Sequence, residues 1–173
     1  MLKVVMVIVW FLLGSAFVLF VGKQGIHEFD PHLKMSQAMM DLDYEEKLSK
    51  LFEHLPHADN GLLIHVGSGK SCFCEVLAES HIKSLNKFSE KEGLTSHSVT
   101  IEELPELASF IPSTPAVIYM DEDRQIKYVG PYSQGAGCFS ASGLVDDAIK
   151  ATLGLKNSQS ILVNEASGCY CEI

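Results

Sequence analysis

The sequence is poor in basic residues and has no basic stripe. Lys and Arg number 13 against 22 Asp and Glu, so the formal net charge is −9. A nucleic-acid-binding surface normally carries a clustered basic face, which this chain lacks. A complete phosphate loop is also missing, because Gly69-Lys70-Ser71 would need a Gly where Ile64 stands. The sequence therefore predicts no nucleic-acid partner and no nucleotide partner.

One long stretch lacks charge altogether. The residues from Val4 to Val21 are uncharged and would span about 27 Å as a helix, close to the roughly 30 Å core of a bilayer. We therefore expect an uncleaved N-terminal transmembrane anchor. A cleaved signal peptide and a buried core helix are the alternatives, although the residues after Val21 offer no good cleavage site.

Internal repeats are absent as well, and 173 residues fit one domain with a short additional element. Apolar spacing predicts one broken helix or two short helices between Met35 and Leu55. The order that follows is β-α-β-α-β-β-α, with strands over 62–66, 97–101, 116–120 and 126–129. This order predicts an α/β fold with a mixed sheet flanked by helices, in which a direct hairpin supplies one antiparallel pair.

Two cysteines stand where the first predicted strand gives way to a helix. Cys72 and Cys74 lie at the start of that helix, and Lys70 is close in sequence. The positive end of a helix and a nearby ammonium both favour a thiolate over a thiol. Cys72 and Cys74 are therefore candidate catalytic nucleophiles whose pKa Lys70 would lower. Buried structural cysteines and metal ligands are the alternatives.

Three features in register resemble the thioredoxin superfamily. They are the strand LLIHV before the Cys pair, Thr114-Pro115 before the strand AVIYM, and the hairpin RQIKYVG followed by a helix. The resemblance implies a thioredoxin-like fold in which the bond before Pro115 is cis and Pro115 lies beside the active-site Cys. It also implies that Thr114 and Pro115 present their backbone to the substrate chain. No organic cofactor is expected.

More narrowly, the chain resembles an uncharacterised family of membrane-anchored, thioredoxin-like bacterial proteins with a Cys-x-Cys motif. The segments GPYS over 130–133 and GAGC over 135–138 match that family. Ser71 stands where thioredoxins usually have a Trp, and the choice between Cys72 and Cys74 as nucleophile stays open. With the predicted anchor, the resemblance implies a single-pass protein of the inner (cytoplasmic) membrane whose C-terminal domain faces the periplasm.

The predicted organisation has four units. They are an N-terminal membrane anchor or signal over 1–23, a linker and helical extension over 24–60, a thioredoxin-like domain over 61–154, and a Cys-containing C-terminal tail over 155–173.

The one-residue spacer restricts what the Cys pair can do. Residues i and i+2 of a helix do not face each other, so a Cys72–Cys74 disulfide requires Cys72 in the turn and would be strained. A thiol brought close by the fold would then compete as the resolving or relay partner. The candidates are Cys138, Cys169 and Cys171. The tail pair could instead be a metal clip, a mutual disulfide or part of a mobile tail.

These observations predict a membrane-anchored thiol–disulfide oxidoreductase, isomerase or reductase that acts on protein thiols or disulfides outside the cytoplasm. Two hypotheses from other classes stay open. The cysteines and Met side chains would suit a soft-metal, copper-type binding or metallochaperone module. A redox-inactive thioredoxin-like interaction domain is the other alternative. A thiol count with and without reductant would separate the first hypothesis from the last.

Overall fold

A computed structural model describes residues 2–24, 26–56, 59–135, 143–155 and 158–173. The helices are α1 (Leu2–Gln24), α2 (Lys34–Ala38), α3 (Tyr44–Lys50), α4 (Phe73–Glu92), a 3-10 helix (Pro105–Ser109) and α5 (Leu144–Thr152). The strands are β1 (His27–Glu28), β2 (Leu62–Gly67), β3 (Thr95–Thr100), β4 (Ser113–Thr114), β5 (Ala116–Met120), β6 (Ile126–Pro131), β7 (Ile161–Leu162), β8 (Ser167–Gly168) and β9 (Cys171–Glu172).

A five-stranded mixed sheet lies at the centre, in the order β3-β2-β5-β6-β7. The pairs β2–β3 and β6–β7 are parallel, whereas β2–β5 and β5–β6 are antiparallel. The predicted α/β fold with a mixed sheet flanked by helices is therefore confirmed, as is the hairpin of β5 and β6.

Alternate residues of the central strands face two separate hydrophobic cores, as the period of two in a strand requires. Leu63 of β2 packs in the core that contains Leu85 of α4 and Val145 of α5. The next residue, Ile64, packs in the opposite core with Leu48 of α3. The sheet is thus covered on both faces, which explains why every residue of β5 is buried.

The N-terminal helix does not bear out the predicted anchor. Within the described part of the chain, no helix is long and apolar enough to cross a membrane. On this finding, the predictions of a transmembrane helix and of a single-pass location in the inner membrane are wrong.

The tail is part of the fold and is paired at three places. Strand β7 extends the central sheet beside β6, β8 pairs with β1, and β9 pairs with β4. The described tail residues therefore lie against the domain, and the alternative of a mobile tail is wrong for them.

Candidate redox site

The Cys pair sits at the junction of β2 and α4. Cys72 is the N-cap residue of α4 and has extended backbone angles, φ −128° and ψ 119°, whereas Cys74 lies inside the first helical turn. Cys72 is thus in the turn and Cys74 in the helix. Their exposed fractions are only 6% and 7%.

Both cysteines are bonded to the tail. Cys72 forms a disulfide with Cys171 across a Cα–Cα distance of 6.2 Å, and Cys74 forms one with Cys169 across 5.3 Å. These bonds confirm the prediction that the pair bonds to a thiol brought close by the fold, and they exclude a mutual Cys169–Cys171 disulfide in this state. Cys138, the other predicted resolving residue, lies outside the described residues.

The two disulfides lie side by side. The Sγ atoms of Cys72, Cys74 and Cys171 are all within 4.8 Å of one another. A thiolate released from one bond would therefore start close to a sulfur of the other bond, which is the requirement for intramolecular thiol–disulfide exchange. Cys171 is half-buried and more accessible than the buried Cys72.

Thr114 and Pro115 lie beside the two disulfides. Thr114 of β4 is the Cα partner of Cys171 in the antiparallel pairing with β9, so it lies opposite a bonded cysteine. The Thr114–Pro115 peptide bond is cis, as the resemblance implied. The structure thus brings the predicted substrate-binding dipeptide next to the Cys pair. It also brings in two of the predicted relay cysteines, although these lie more than 90 residues from the pair in sequence.

Lys70, the predicted pKa-tuning residue, stays near the pair in the same turn. Its backbone N–H donates to the Ser68 hydroxyl at 3.1 Å, and that hydroxyl is also 3.1 Å from the Lys70 carbonyl oxygen. These contacts hold the turn just before Cys72, while the Lys70 residue itself is exposed.

Glu75 is a residue of this site that the sequence patterns did not single out. Its Oε1 accepts hydrogen bonds from the Ser68 N–H and from the Thr114 hydroxyl, both at 2.7 Å. One carboxylate thus connects the turn that carries Cys72 to strand β4. The available signal was an acidic residue directly after Cys74 in the first turn of α4, where helix starts commonly carry one.

A buried polar network lies between the central sheet, α4 and the segment after β6. His65 of β2 contacts Asn86 through Nε2 and Tyr132 through Nδ1, and burial lowers its pKa although the hydrogen bond to Asn86 opposes this. Burial, with a smaller contribution from the charge of Glu75, raises the pKa of Tyr132 well above its ordinary value. His65 is therefore a buried residue of the central sheet that is hydrogen-bonded on both ring nitrogens.

The chain is also similar to two solved structures. A hypothetical protein from Sinorhizobium meliloti 1021 is 14% identical, with a TM-score of 0.40 over 64% of this chain and 80% of that one. An uncharacterized conserved protein from Geobacillus kaustophilus is 15% identical, with a TM-score of 0.42 over 68% and 78% of the two chains.

No curated protein matches the chain. A family model described as a domain of unknown function, DUF6436, matches residues 41–173, which include the Cys pair and the tail to which it is bonded. The chain belongs to the DUF6436 family.

Proposed function

We propose that this protein is a thioredoxin-like thiol–disulfide oxidoreductase that acts on protein thiols or disulfides. The observation that carries the proposal is the pair of adjacent disulfides between the start of α4 and the tail, with three Sγ atoms within 4.8 Å of one another. A purely structural pair of bonds would not need its sulfur atoms within reach of exchange.

The order of the strands supports the thioredoxin-like part of the proposal. The parallel pair β2–β3, the antiparallel β5 beside β2 and the hairpin β5–β6 follow the order on which the resemblance rests. Cys72 and Cys74 open the helix after β2, and Thr114-Pro115 directly precedes β5. Together these features support a thioredoxin-like arrangement.

The first step of reduction follows from accessibility and leaving-group chemistry. A partner thiolate attacks Sγ of the half-buried Cys171, forms a mixed disulfide with it and expels Cys72 as a thiolate. Cys72 is the better leaving group because the helix start stabilises its thiolate. The partner's second thiol then loses its proton and attacks the partner's own sulfur in the mixed disulfide. This forms a partner disulfide and expels Cys171 as a thiolate. Two electrons and two protons thereby pass from the partner to Cys72 and Cys171.

The second disulfide offers a further exchange without an external reagent. The Cys72 thiolate lies near Sγ of Cys74 and can attack it, forming a Cys72–Cys74 bond and expelling Cys169 as a thiolate. One disulfide is broken and one is formed, so this step transfers no electrons to or from the chain. It frees both tail cysteines while the pair on α4 stays oxidised.

The experiment is the reduction of a peptide disulfide by dithiothreitol in the presence of catalytic amounts of the protein. We expect acceleration by the wild-type chain and its loss in Cys72→Ser and Cys74→Ser variants. Ser80→Ala, a change on the exposed part of α4, serves as the control and should keep the wild-type rate. A wild-type rate equal to that of dithiothreitol alone would refute the proposal.

A thiol count gives an independent check of the starting state. Four cysteines are bonded in the two disulfides of the described residues, so full reduction should raise the thiol count by four. A count that is the same with and without reductant would contradict a redox role.

Soft-metal binding by the reduced chain is a second candidate function. The three clustered sulfurs of Cys72, Cys74 and Cys171 would offer thiolate ligands to an ion such as Cu(I) once the disulfides are open. Anaerobic titration of the reduced chain with Cu(I) against a competing chelator tests this function. Binding should weaken in Cys171→Ser and stay unchanged in Ser80→Ala, whereas equal affinity in both variants would refute it.

A further inference from the structure

We propose that the tail segment, defined as residues 167–173, occupies a binding edge for an extended, cysteine-bearing segment of a partner protein. Reduction of the two disulfides would open this edge to the partner. The inference rests on the proposed function and adds to it the substrate class and the way in which access is controlled.

The geometry of β4 and β9 is that of a bound extended peptide. β4 has only two residues, Ser113 and Thr114, and β9 runs antiparallel to it. Ile173 N–H donates to the Pro112 carbonyl oxygen at 3.3 Å, which continues the pairing by one residue. Strand addition to a short edge is a common way to bind an extended segment, since the backbone supplies affinity at any sequence.

The register of this pairing positions a sulfur for exchange. Cys171 is the Cα partner of Thr114, and its sulfur is bonded to Cys72. Any extended segment that pairs with β4 in the same register and carries a cysteine at that position would place its sulfur beside Cys72. The bound tail is therefore an internal copy of the mixed disulfide that a partner would form.

The residue between the two tail cysteines is buried and hydrogen-bonded. Tyr170 is 5% exposed, packs edge-on against Phe29 with 5.2 Å between ring centroids, and donates from its hydroxyl to the Ser133 carbonyl oxygen at 2.6 Å. This site would accept an aromatic side chain with a hydroxyl group. The preferred partner segment is thus Cys-Tyr-Cys or a close variant of it.

The two strand pairings of the tail segment are short, and one of its ion pairs is exposed. The pairings β8–β1 and β9–β4 contain two residues each, and the His32–Glu172 ion pair joins two exposed side chains. Exposed ion pairs contribute little to stability. Once both disulfides are open, a partner segment with the same pattern could therefore replace the tail.

On the open edge, the Cys pair reduces the partner's disulfide in two steps. The Cys72 thiolate attacks a disulfide of the partner and forms a mixed disulfide, while the partner's other sulfur leaves as a thiolate and takes up a proton. The Cys74 thiolate then attacks Sγ of Cys72, forms the Cys72–Cys74 bond and releases the partner's second thiol. The partner gains two electrons and the Cys pair loses them.

Hydrogen exchange on the full wild-type chain tests the opening of the edge. We compare the oxidised chain with the chain reduced by dithiothreitol. Amides of the tail segment, including those of β9, should exchange at least about tenfold faster after reduction, because a two-residue pairing without its covalent link opens readily. Amides of β2 and β5 should stay protected. Unchanged protection of the tail segment would refute the inference.

A second test probes the backbone pairing with synthetic peptides. The protein is the full chain with Cys169→Ser and Cys171→Ser, and the peptide has the sequence of residues 166–173 with Ser at position 169 and an activated disulfide at position 171. N-methylation at position 173 removes the donor to the Pro112 carbonyl. N-methylation at position 172 is the control, because alternate amides of a paired strand point away from the partner strand.

We expect the first methylated peptide to react with Cys72 about 5- to 10-fold more slowly than the control, as the loss of one hydrogen bond implies. Equal rates for the two peptides would refute the inference that β4 binds an extended partner segment, while leaving the proposed function intact. Reaction with oxidised glutathione separates the two proposals further. If neither the peptides nor glutathione reacts at Cys72, the proposed function fails together with the inference.

Discussion

At the residue scale, the reactivity of Cys72 and Cys74 depends on nearby charges of opposite sign. The start of α4 and the ammonium of Lys70 favour the thiolate, whereas the carboxylate of Glu75 directly after Cys74 opposes it. Glu75 also accepts two hydrogen bonds, so it contributes to the geometry of the site as well as to its charge.

We expect the reduced pair to contain a thiol with a pKa below that of free Cys, about 8.5, and Lys70→Met to raise this pKa. The rate of iodoacetamide labelling at neutral pH should then fall by about 2- to 5-fold. Lys87→Met, on an exposed position of α4, is the matched control. Labelling rates against pH, with the sites located by mass spectrometry, check the prediction. It fails if both thiols titrate at or above the value of free Cys.

The two functions of Glu75 can be separated by two substitutions. Glu75→Gln removes the charge but keeps an oxygen that can accept from Ser68 and Thr114, so it should lower the thiol pKa with little loss of stability. Glu75→Ala also leaves the buried Thr114 hydroxyl without this partner, and should cost about 1–3 kcal/mol in the free energy of unfolding. Urea unfolding of the oxidised variants measures this. Equal losses in both variants would show that charge, and not geometry, stabilises the site.

At the scale of elements, Asp30 caps helix α2 of the helical extension, but the helix begins later than the sequence predicts. Asp30-Pro31 predicts a helix start with Asp30 as N-cap and Pro31 as the first helical residue. In the structure α2 begins at Lys34 instead, after Leu33 in the left-handed region. Asp30 nevertheless caps the helix, since its carboxylate accepts from the backbone N–H groups of Met35 and Ser36 and from the Ser36 hydroxyl.

Asp30→Ala should therefore destabilise the chain by about 1–3 kcal/mol, because helix N–H groups lose their acceptor in a buried position. Asp43→Ala provides the control. Asp43 is the N-cap residue of α3 by position, but its side chain makes no capping hydrogen bond, so the change should stay within about 0.5 kcal/mol. Thermal and urea unfolding under oxidising conditions compare the two. A similar loss at both positions would rule out the capping role of Asp30.

At the scale of the whole molecule, the two disulfides constrain nearly the same loop. They join residues separated by 99 and 95 positions, and each cysteine of one bond is two residues from a cysteine of the other. The first bond therefore closes a long loop, whereas the second adds only the short ring between the two bonds. Their contributions to stability should not be additive.

Chain-entropy arguments give about 4.7 kcal/mol for a loop of 100 residues and about 2 kcal/mol for a ring of a few residues. Removal of either bond alone should thus lower the free energy of unfolding by about 2 kcal/mol. The variants are Cys72→Ala with Cys171→Ala for one bond, and Cys74→Ala with Cys169→Ala for the other. Removal of both should cost about 6–7 kcal/mol, more than the sum of the single effects. Urea unfolding of the three variants measures this difference. A strictly additive result would show that the bonds constrain the unfolded chain independently.

Much of the fold was predictable from local patterns. The alternation of buried strands with amphipathic helices predicted the mixed sheet, and the hairpin followed from two short strands joined by Asp121-Glu122-Asp123. The position of Cys72 and Cys74 at a helix start was predictable for the same reason, since it depends on neighbours in the chain. The predicted transmembrane span was a local inference too, and it was not borne out.

The sequence by itself determined which residues could do thiol chemistry and where each stands relative to its own strand or helix. Only the tertiary structure decided that Cys72 pairs with Cys171 and Cys74 with Cys169, and that Glu75 bonds to Thr114. These contacts join positions 39 to 99 residues apart. Periodicity describes only the geometry of neighbouring residues, and several cysteine pairings are compatible with one sequence. The choice among them depends on which segments the packed core brings together.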